Sequence, residues 1–289
     1  MLGHGPPRLY ADPVTHGQQN PAPGYFLGAD EAERSRLLAQ GEAHRAQTEA
    51  LLDRLEVPVG GRAVDFGCGP LGVLDVLSRR VGSAGAVVGL DNESRMIGFA
   101  QRSIAERGLA NVMLIQADAR ATGLKADSFD LAHERLVLIT LTSPQAVVDE
   151  MVRVVRPGGW VMTQNVDWIS WTCEPAHPAW DSLLDALVRT WGTIGLNPYT
   201  GRRMPTFLRD ASLADVTVDV CGHTQRTGEP NQLLLLRFID IFRDQIVSGG
   251  ILDPAALARL TGELAEHLSR PETFTLQPLL FQAWGRKPG

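Results

Sequence analysis

The sequence predicts an α/β protein: a doubly wound, Rossmann-like sheet with a final antiparallel strand, to which an N-terminal helical arm and a helical insert add a lid. Short apolar runs alternate with helix-length stretches between Arg62 and Val166. That is the rhythm of strands joined by crossover helices in a parallel sheet. The first run opens into Val64-Asp-Phe-Gly-Cys-Gly-Pro-Leu-Gly72, and Gly67, Gly69 and Gly72 spell G-x-G-x-x-G, a nucleotide-binding strand–turn–helix. Acidic residues then recur at strand ends, as Asp65, Asp91 and Asp118.

Residues 1–28 are rich in Pro, Gly, Gln and His and make an irregular arm. Asp30 with Glu33 forms a capping-box-like start. Leu37, Leu38, Leu51, Leu52 and Leu55 then carry one helix to about Glu56, where Pro58, Gly60 and Gly61 stop it. A strand over 62–66 leads to a helix over 71–81. A second strand, 86–90, leads to a helix over 93–107 that Gly108 ends. Strands follow at 112–116 and 129–133, then a helix over 145–155. Past the Pro157-Gly158-Gly159 turn comes a fifth strand, 160–166.

After Asp167 the rhythm breaks. Trp168, Trp171, Trp180 and Trp191 fall among Pro175, Pro178 and Pro198, so residues 168–200 mix helix and loop. Residues 216–220 alternate as a sixth strand. Residues 230–269 are helical in two pieces, interrupted by Gly249-Gly250 and Asp253-Pro254, and 273–284 form the last strand. The expected organisation is an arm and lid helix over 1–56, a ligand-binding core over 57–167, and substrate-side lid segments, helical insert and last strands over 168–289.

Composition narrows the function. Lys and Arg number 27 against 33 Asp and Glu, a net charge of −6. An acidic chain without a basic stripe does not suit a polyanion, since phosphate neutralisation supplies most nucleic-acid affinity. Cys68, Cys173 and Cys221 are too few and too scattered for a disulfide framework or a metal knuckle. No charged leader with an apolar run and no stretch of about 18 apolar residues is present. The expectation is a cytoplasmic protein, monomer or homodimer, acting on a small molecule, with no metal, nucleic-acid or membrane partner.

In an open α/β sheet the ligand lies outside the carboxyl ends of the strands. Asp65 precedes the glycine turn where a pyrophosphate would want N–H groups and a helix N-terminus rather than a carboxylate. A ligand with an ammonium end fits better, and S-adenosylmethionine is such a ligand. Asp91, 24 residues past Gly67, stands where an acid grips ribose hydroxyls. Asn92 follows it, and Met96 is placed to cover a purine face. Asp118 and Ala119 fall where the exocyclic amine of adenine would sit. Gly67 and Gly69 let the backbone approach the ligand. Cys68, between them, is a packing residue rather than a nucleophile.

These residues resemble the class I S-adenosylmethionine-dependent methyltransferases. Asp65-Phe-Gly-Cys-Gly69 is similar to the family's glycine-rich motif, Asp91 to its ribose acid, Asp118 to its adenine-side acid, and Arg156-Pro-Gly-Gly-Trp160 to the turn entering its fifth strand. Residues 25–34 and 129–138 resemble a bacterial small-molecule, natural-product subgroup. By that resemblance Gln40 reaches the methionine end of the cofactor. The subgroup's histidine is replaced by Thr140, so no base role carries over to that place.

Methyl transfer needs alignment first and a base only where the nucleophile must lose a proton. His133, Glu134 and Asp167, at the ends of the fourth and fifth strands, are the catalytic candidates. His133 is as readily a residue packed beneath the cofactor, and Asp167 a cap for the segment that follows. Tyr25, Trp168, Trp171 and Trp180, with Trp191, would wall a planar aromatic or indole acceptor, or else form lid core. The expected enzyme methylates a small aromatic natural product at carbon or nitrogen, with oxygen also open. A nicotinamide-dependent oxidoreductase also fits the glycines with an acid at that distance, though Asp65 and Asp118 count against it, and a non-methylating binding or cyclising protein fits the fold.

Overall fold

The computed structural model describes residues 30–229 and 231–289; Tyr25 and the irregular arm lie outside them. Helix α1 (Glu31–Ala43) starts where expected, because the Asp30 carboxylate accepts the Glu33 N–H at 2.8 Å. The single helix expected to run on to Glu56 is instead two. α1 ends at His44, whose φ of −100° and ψ of 2° leave the helical region, and α2 (Arg45–Arg54) begins beyond it. The cause is what each half packs on. Leu51, Leu52 and Leu55 lie against Ala63, Leu131, Met162 and Trp284 on one face of the sheet. α1 instead crosses the carboxyl edge, with Leu37 Cδ1 above Gly69. One straight rod cannot cover both surfaces.

Strands β1 (Arg62–Phe66), β2 (Ala86–Asp91), β3 (Val112–Gln116), β4 (Phe129–Arg135) and β5 (Val155–Asp167) alternate with helices α3 (Leu74–Val81), α4 (Ser94–Arg107) and α5 (Pro144–Val154). Beyond them lie β7 (Ala214–Cys221) and β10 (Leu279–Arg286). The seven strands are ordered β3-β2-β1-β4-β5-β10-β7. β10 runs antiparallel to β5 and β7, and the pairs among β1 to β5 are parallel. The switch point falls between β1 and β4, so the turn after β1 opens the ligand crevice.

The expected last strand over 273–284 is broken into β9 (Phe274–Leu276) and β10. β6 (Thr172–Glu174) follows β5, and β8 (Thr224–Arg226) follows β7. These three short strands form a second sheet in the order β6-β9-β8. That order matches β5-β10-β7, so the lid sheet carries half of the main sheet on past its carboxyl edge. The interruptions fall at 168–171, 277–278 and 222–223.

Three apolar clusters hold the protein. Val64, Phe66, Leu138, Val147, Met151 and Phe207 pack one face of the main sheet under α5 and α7 (Thr200–Asp210). The opposite face carries α2, α3 and α4. The third cluster is the insert's own: Trp171, Trp180 and Trp191 of the segment leading into and through α6 (Pro178–Thr193) meet Phe238 of α8 (Leu234–Ile241) and Leu257 of α10 (Pro254–Leu268). The region expected as two helical pieces holds three, since α9 (Arg243–Ser248) intervenes before Gly249-Gly250.

Candidate active site

The turn after β1 is built by three glycines with positive φ, 70° at Gly67, 50° at Gly69 and 52° at Gly72. They do different work. A Cβ on Gly69 would make only an ordinary contact, with Leu37 Cδ1 at 3.9 Å, so the turn is uncrowded there. A Cβ on Gly67 would run into Val137, which follows β4. On Gly72 it would stand 2.5 Å from Asp65 Oδ2 and 2.7 Å from the Cys68 carbonyl, so this glycine lets α3 close down over the acid. Buried Cys68 donates its N–H to the Leu90 carbonyl, and burial pushes its thiol well up, as a packing residue requires.

Asp65 is buried. Its Oδ1 lies 2.7 Å from His133 Nδ1, and its Oδ2 accepts a long 3.4 Å bond from the Val73 N–H. His133, on the neighbouring strand, reaches Gln164 Oε1 with Nε2 at 3.0 Å. Gln164 also receives Thr48 Oγ1–H at 3.0 Å and donates to Gln282 Oε1 at 2.5 Å. Gln282 Nε2 in turn stands 3.3 Å from Cys221 Sγ. A buried polar stripe therefore crosses β1, β4, β5, β10 and β7 on the α2 face, with its groups satisfied in series.

Asp91 ends β2 beside the turn. Its Oδ2 accepts the Gly69 N–H at 3.0 Å and its Oδ1 the Glu93 N–H at 2.9 Å. Burial pushes the Asp91 pKa up from its ordinary value, the two N–H bonds opposing. Exposed Asn92 accepts from Gln116 through its carbonyl, and Met96 is buried under the start of α4. Asp118 is gripped by Arg120, with Nη2 at 2.6 Å, and that partner holds its carboxyl below the ordinary range. Both side chains are 36–44% exposed. Such a pair is worth about 0–1 kcal/mol, so a ligand donor can displace the arginine. Ala119 packs at the edge of the nearby core.

Sequence reasoning missed Arg135. Its guanidinium meets Thr48 Oγ1 and the Gly72 carbonyl, each at 3.3 Å, and no carboxylate among the described residues pairs with it. Gly41 of α1 lies alongside, 3.4 Å from Arg135 Nη2 when given a Cβ. Gln40, one residue earlier on α1, is half-buried. An arginine between lid helix and glycine turn is a ready partner for a carboxylate. The turn, Asp91, Asp65 and Arg135 together fit a ligand with N–H, ribose and carboxylate groups.

The catalytic candidates do not converge on one point. His133 lies in the stripe beneath the turn. Glu134 faces the other side of the sheet, taking the N–H groups of Val137 at 3.1 Å and Leu138 at 3.4 Å and Asn165 Nδ2 at 2.6 Å. It thereby fixes the turn after β4, and burial pushes its carboxyl up to about 8. Asp167 caps the short turn after β5 by accepting the Ile169 N–H at 3.1 Å and is paired with Arg202. Thr140 closes the turn after β4 onto the Val137 carbonyl at 2.7 Å.

The aromatic wall is mostly interior. Trp171 and Trp180 are 1% and 2% exposed, at the centre of the insert core rather than on a surface. Their rings meet edge to face at 5.5 Å. Trp168 is half-buried, 4.9 Å from Trp191 and 5.1 Å from Phe238, at the break between β5 and β6.

A family model described as "Methyltransferase domain" matches residues 59–194, the stretch holding Asp65, Gly69, Asp91, Asp118 and Asp167. A demethylmenaquinone methyltransferase of Geobacillus sp. (strain WCH70) is 34% identical over 119 residues, 41% of this chain and 51% of that protein. Aklanonic acid methyltransferase DauC of Streptomyces sp. (strain C5) is 29% identical over 180 residues, 61% of this chain and 80% of that protein. The chain spans 50–61% of the length of the first curated relatives it matches. Phosphoethanolamine N-methyltransferase 2 of Haemonchus contortus, solved with S-adenosyl-L-methionine, superposes with a TM-score of 0.52 at 15% identity, over 84% of this chain and 53% of that one. No helix among the described residues is long and apolar enough to cross a membrane. The sheet order, the glycine turn and the domain match agree on the fold of the class I S-adenosylmethionine-dependent methyltransferases, with a methyltransferase domain over residues 59–194.

Proposed function

We propose that this protein transfers the methyl group of S-adenosylmethionine to a small aromatic or indole-containing acceptor, at carbon or nitrogen in preference to oxygen. The observation that carries the reading is the positive-φ turn at Gly69, whose N–H is held by Asp91 and over which Leu37 of α1 lies. When bound, the cofactor supplies an electrophilic methyl group on a sulfonium sulfur. Gln40, Asp65, Gly67, Cys68, Gly69, Asp91, Asn92, Met96, Asp118 and Ala119 are the residues assigned to hold it, joined by Arg135 at the carboxylate end. Asp91 keeps one lone-pair set on Gly69 and offers the rest to ribose hydroxyls, while Asp118 exchanges Arg120 for the adenine amine.

His133, Glu134 and Asp167 are held by internal partners, so the reading gives them positioning work. His133 fixes Asp65, Glu134 fixes the turn after β4, and Asp167 fixes the break where Trp168 sits. Rate then comes from alignment and from exclusion of water by α1 and the insert. Trp168, beside that break, is the aromatic contact for the acceptor. The demethylmenaquinone and aklanonic acid methyltransferases among the relatives support a small-molecule acceptor.

The test is transfer from radiolabelled S-adenosylmethionine to a panel of indole, amine and hydroxyarene acceptors, with S-adenosylhomocysteine and NAD titrated by calorimetry. Labelled product and homocysteine-nucleoside binding without NAD binding are the expected results. Binding without turnover of any acceptor would refute the enzymatic reading.

A further inference from the structure

His44 closes α1 at the bend between the two N-terminal helices, and its ring faces His223 with centroids 5.9 Å apart. His223 sits in the interruption between β7 and β8, where its carbonyl takes the Gln277 N–H at 2.8 Å from the corresponding interruption between β9 and β10. Gln47, one turn along α2 from His44, places Nε2 3.2 Å from His223 Nε2. Two atoms of this group are shut away from solvent and have no hydrogen-bond partner among the described residues: His44 Nδ1 and Gln47 Oε1. Buried polar groups are nearly always satisfied, and leaving one unmade costs free energy. Two such atoms on residues that both face His223 mark a place prepared for a ligand.

The surroundings set its chemistry. Burial, the nearby Arg135 charge and His223 push His44 down to about 3, so this imidazole is neutral at physiological pH. Gln47 Oε1 only accepts, and so requires a donor. The nearby Arg135 charge disfavours a cationic amine, so the donor is a neutral one, such as a hydroxyl. Gln47 also borders a cavity of about 220 Å³ between α2 and β7, lined with Ala46, Arg54, Cys221 and Gln282. That exceeds a cavity of ~150 Å³, which already admits benzene.

The position relative to the cofactor turn follows from α1. Leu37, Gly41 and His44 share one face of the helix at i, i+4 and i+7, over Gly69, Arg135 and His223 respectively. At a rise of about 1.5 Å per residue, His44 stands roughly 10 Å along the helix from Gly69. A fused-ring acceptor spans that gap.

We propose that His44, Gln47 and His223 form the distal acceptor subsite, which selects fused aromatic molecules carrying a free hydroxyl at the end away from the methylated atom. The inference rests on the methyltransferase reading for its orientation but is read out by binding. The probes are 5-hydroxyindole and 5-methoxyindole, titrated by calorimetry into the full chain with and without S-adenosylhomocysteine. Wild type should favour 5-hydroxyindole by about tenfold or more, because the methoxy group cannot donate to Gln47. Gln47→Leu and His44→Phe, each checked by thermal melting, should bring the two affinities within about twofold, with binding of S-adenosylhomocysteine retained. Equal affinities in wild type, binding of neither indole, or a preference that survives both substitutions overturns the subsite. Loss of S-adenosylhomocysteine binding in wild type instead overturns the methyltransferase reading, and the indole preference without it still judges the subsite.

Discussion

Asp65 Oδ1 stands 2.7 Å from His133 Nδ1, across the two strands that flank the switch point. The carboxylate that the glycine motif contributes is thus held by a histidine that the same motif does not contain. Removing the histidine strands an oxygen of Asp65 in the interior, at a cost of about 1–3 kcal/mol, and takes from Gln164 Oε1 one of its two partners, leaving Thr48. His133→Phe should lower the melting temperature and weaken S-adenosylhomocysteine binding by about tenfold or more, with His133→Gln recovering part of both. Unchanged cofactor affinity alongside a fall in kcat alone would point to a base instead.

Gly69 and Gly72 make a paired test of the turn. Both have positive φ, so alanine at either pays about 1–2 kcal/mol of backbone strain. Only at Gly72 does the added methyl strike Asp65 Oδ2 and the Cys68 carbonyl. Gly72→Ala should therefore lose both thermal stability and S-adenosylhomocysteine binding. Gly69→Ala should keep most stability and lose binding. Equal melting temperatures with equal binding would contradict this division.

Two buried groups give the stability curve opposite slopes. Glu134, raised to about 8, holds its proton in the folded state where the unfolded chain has lost it. Its contribution is therefore full below the ordinary glutamate range and is lost as pH rises toward 8. The slope is up to ~1.4 kcal/mol per pH unit in that window. His44, lowered to about 3, works in the other sense: stability is present above the ordinary histidine range and is lost as pH falls toward 3. Urea unfolding from pH 3 to 9 should show a maximum between these limbs. Glu134→Gln should flatten the alkaline limb and His44→Phe the acid one.

Trp171 tests whether the tryptophans are core. It is 1% exposed, packed on Trp168, Trp180 and Phe238. Trp171→Ala should cost about 3–5 kcal/mol and hasten proteolysis of the insert while sparing S-adenosylhomocysteine binding. A stable variant with an altered acceptor profile would mean that the ring faces the acceptor after all.

The sequence by itself determined the alternation of strands and helices, the glycine turn, the acids ending β1 and β2 and the position of the insert. Each rests on short-range periodicity, or on glycine's freedom at positive φ. The polar residues Gln164 and Gln282, inside strands of the sheet, were a legible sign of the buried stripe. Tertiary structure alone decided which polar groups remain free to act. His133 is consumed by a residue 68 positions away, and Gln164 by one 118 positions away, a separation that no local spacing encodes. It also broke the N-terminal helix at His44, where the two halves pack on different neighbours. The lid sheet likewise arises only when three distant strands overrun the same edge together. So Asp65 named the cofactor from the sequence, while the neighbour that holds it, and the histidine pair beyond it, appeared only in the folded chain.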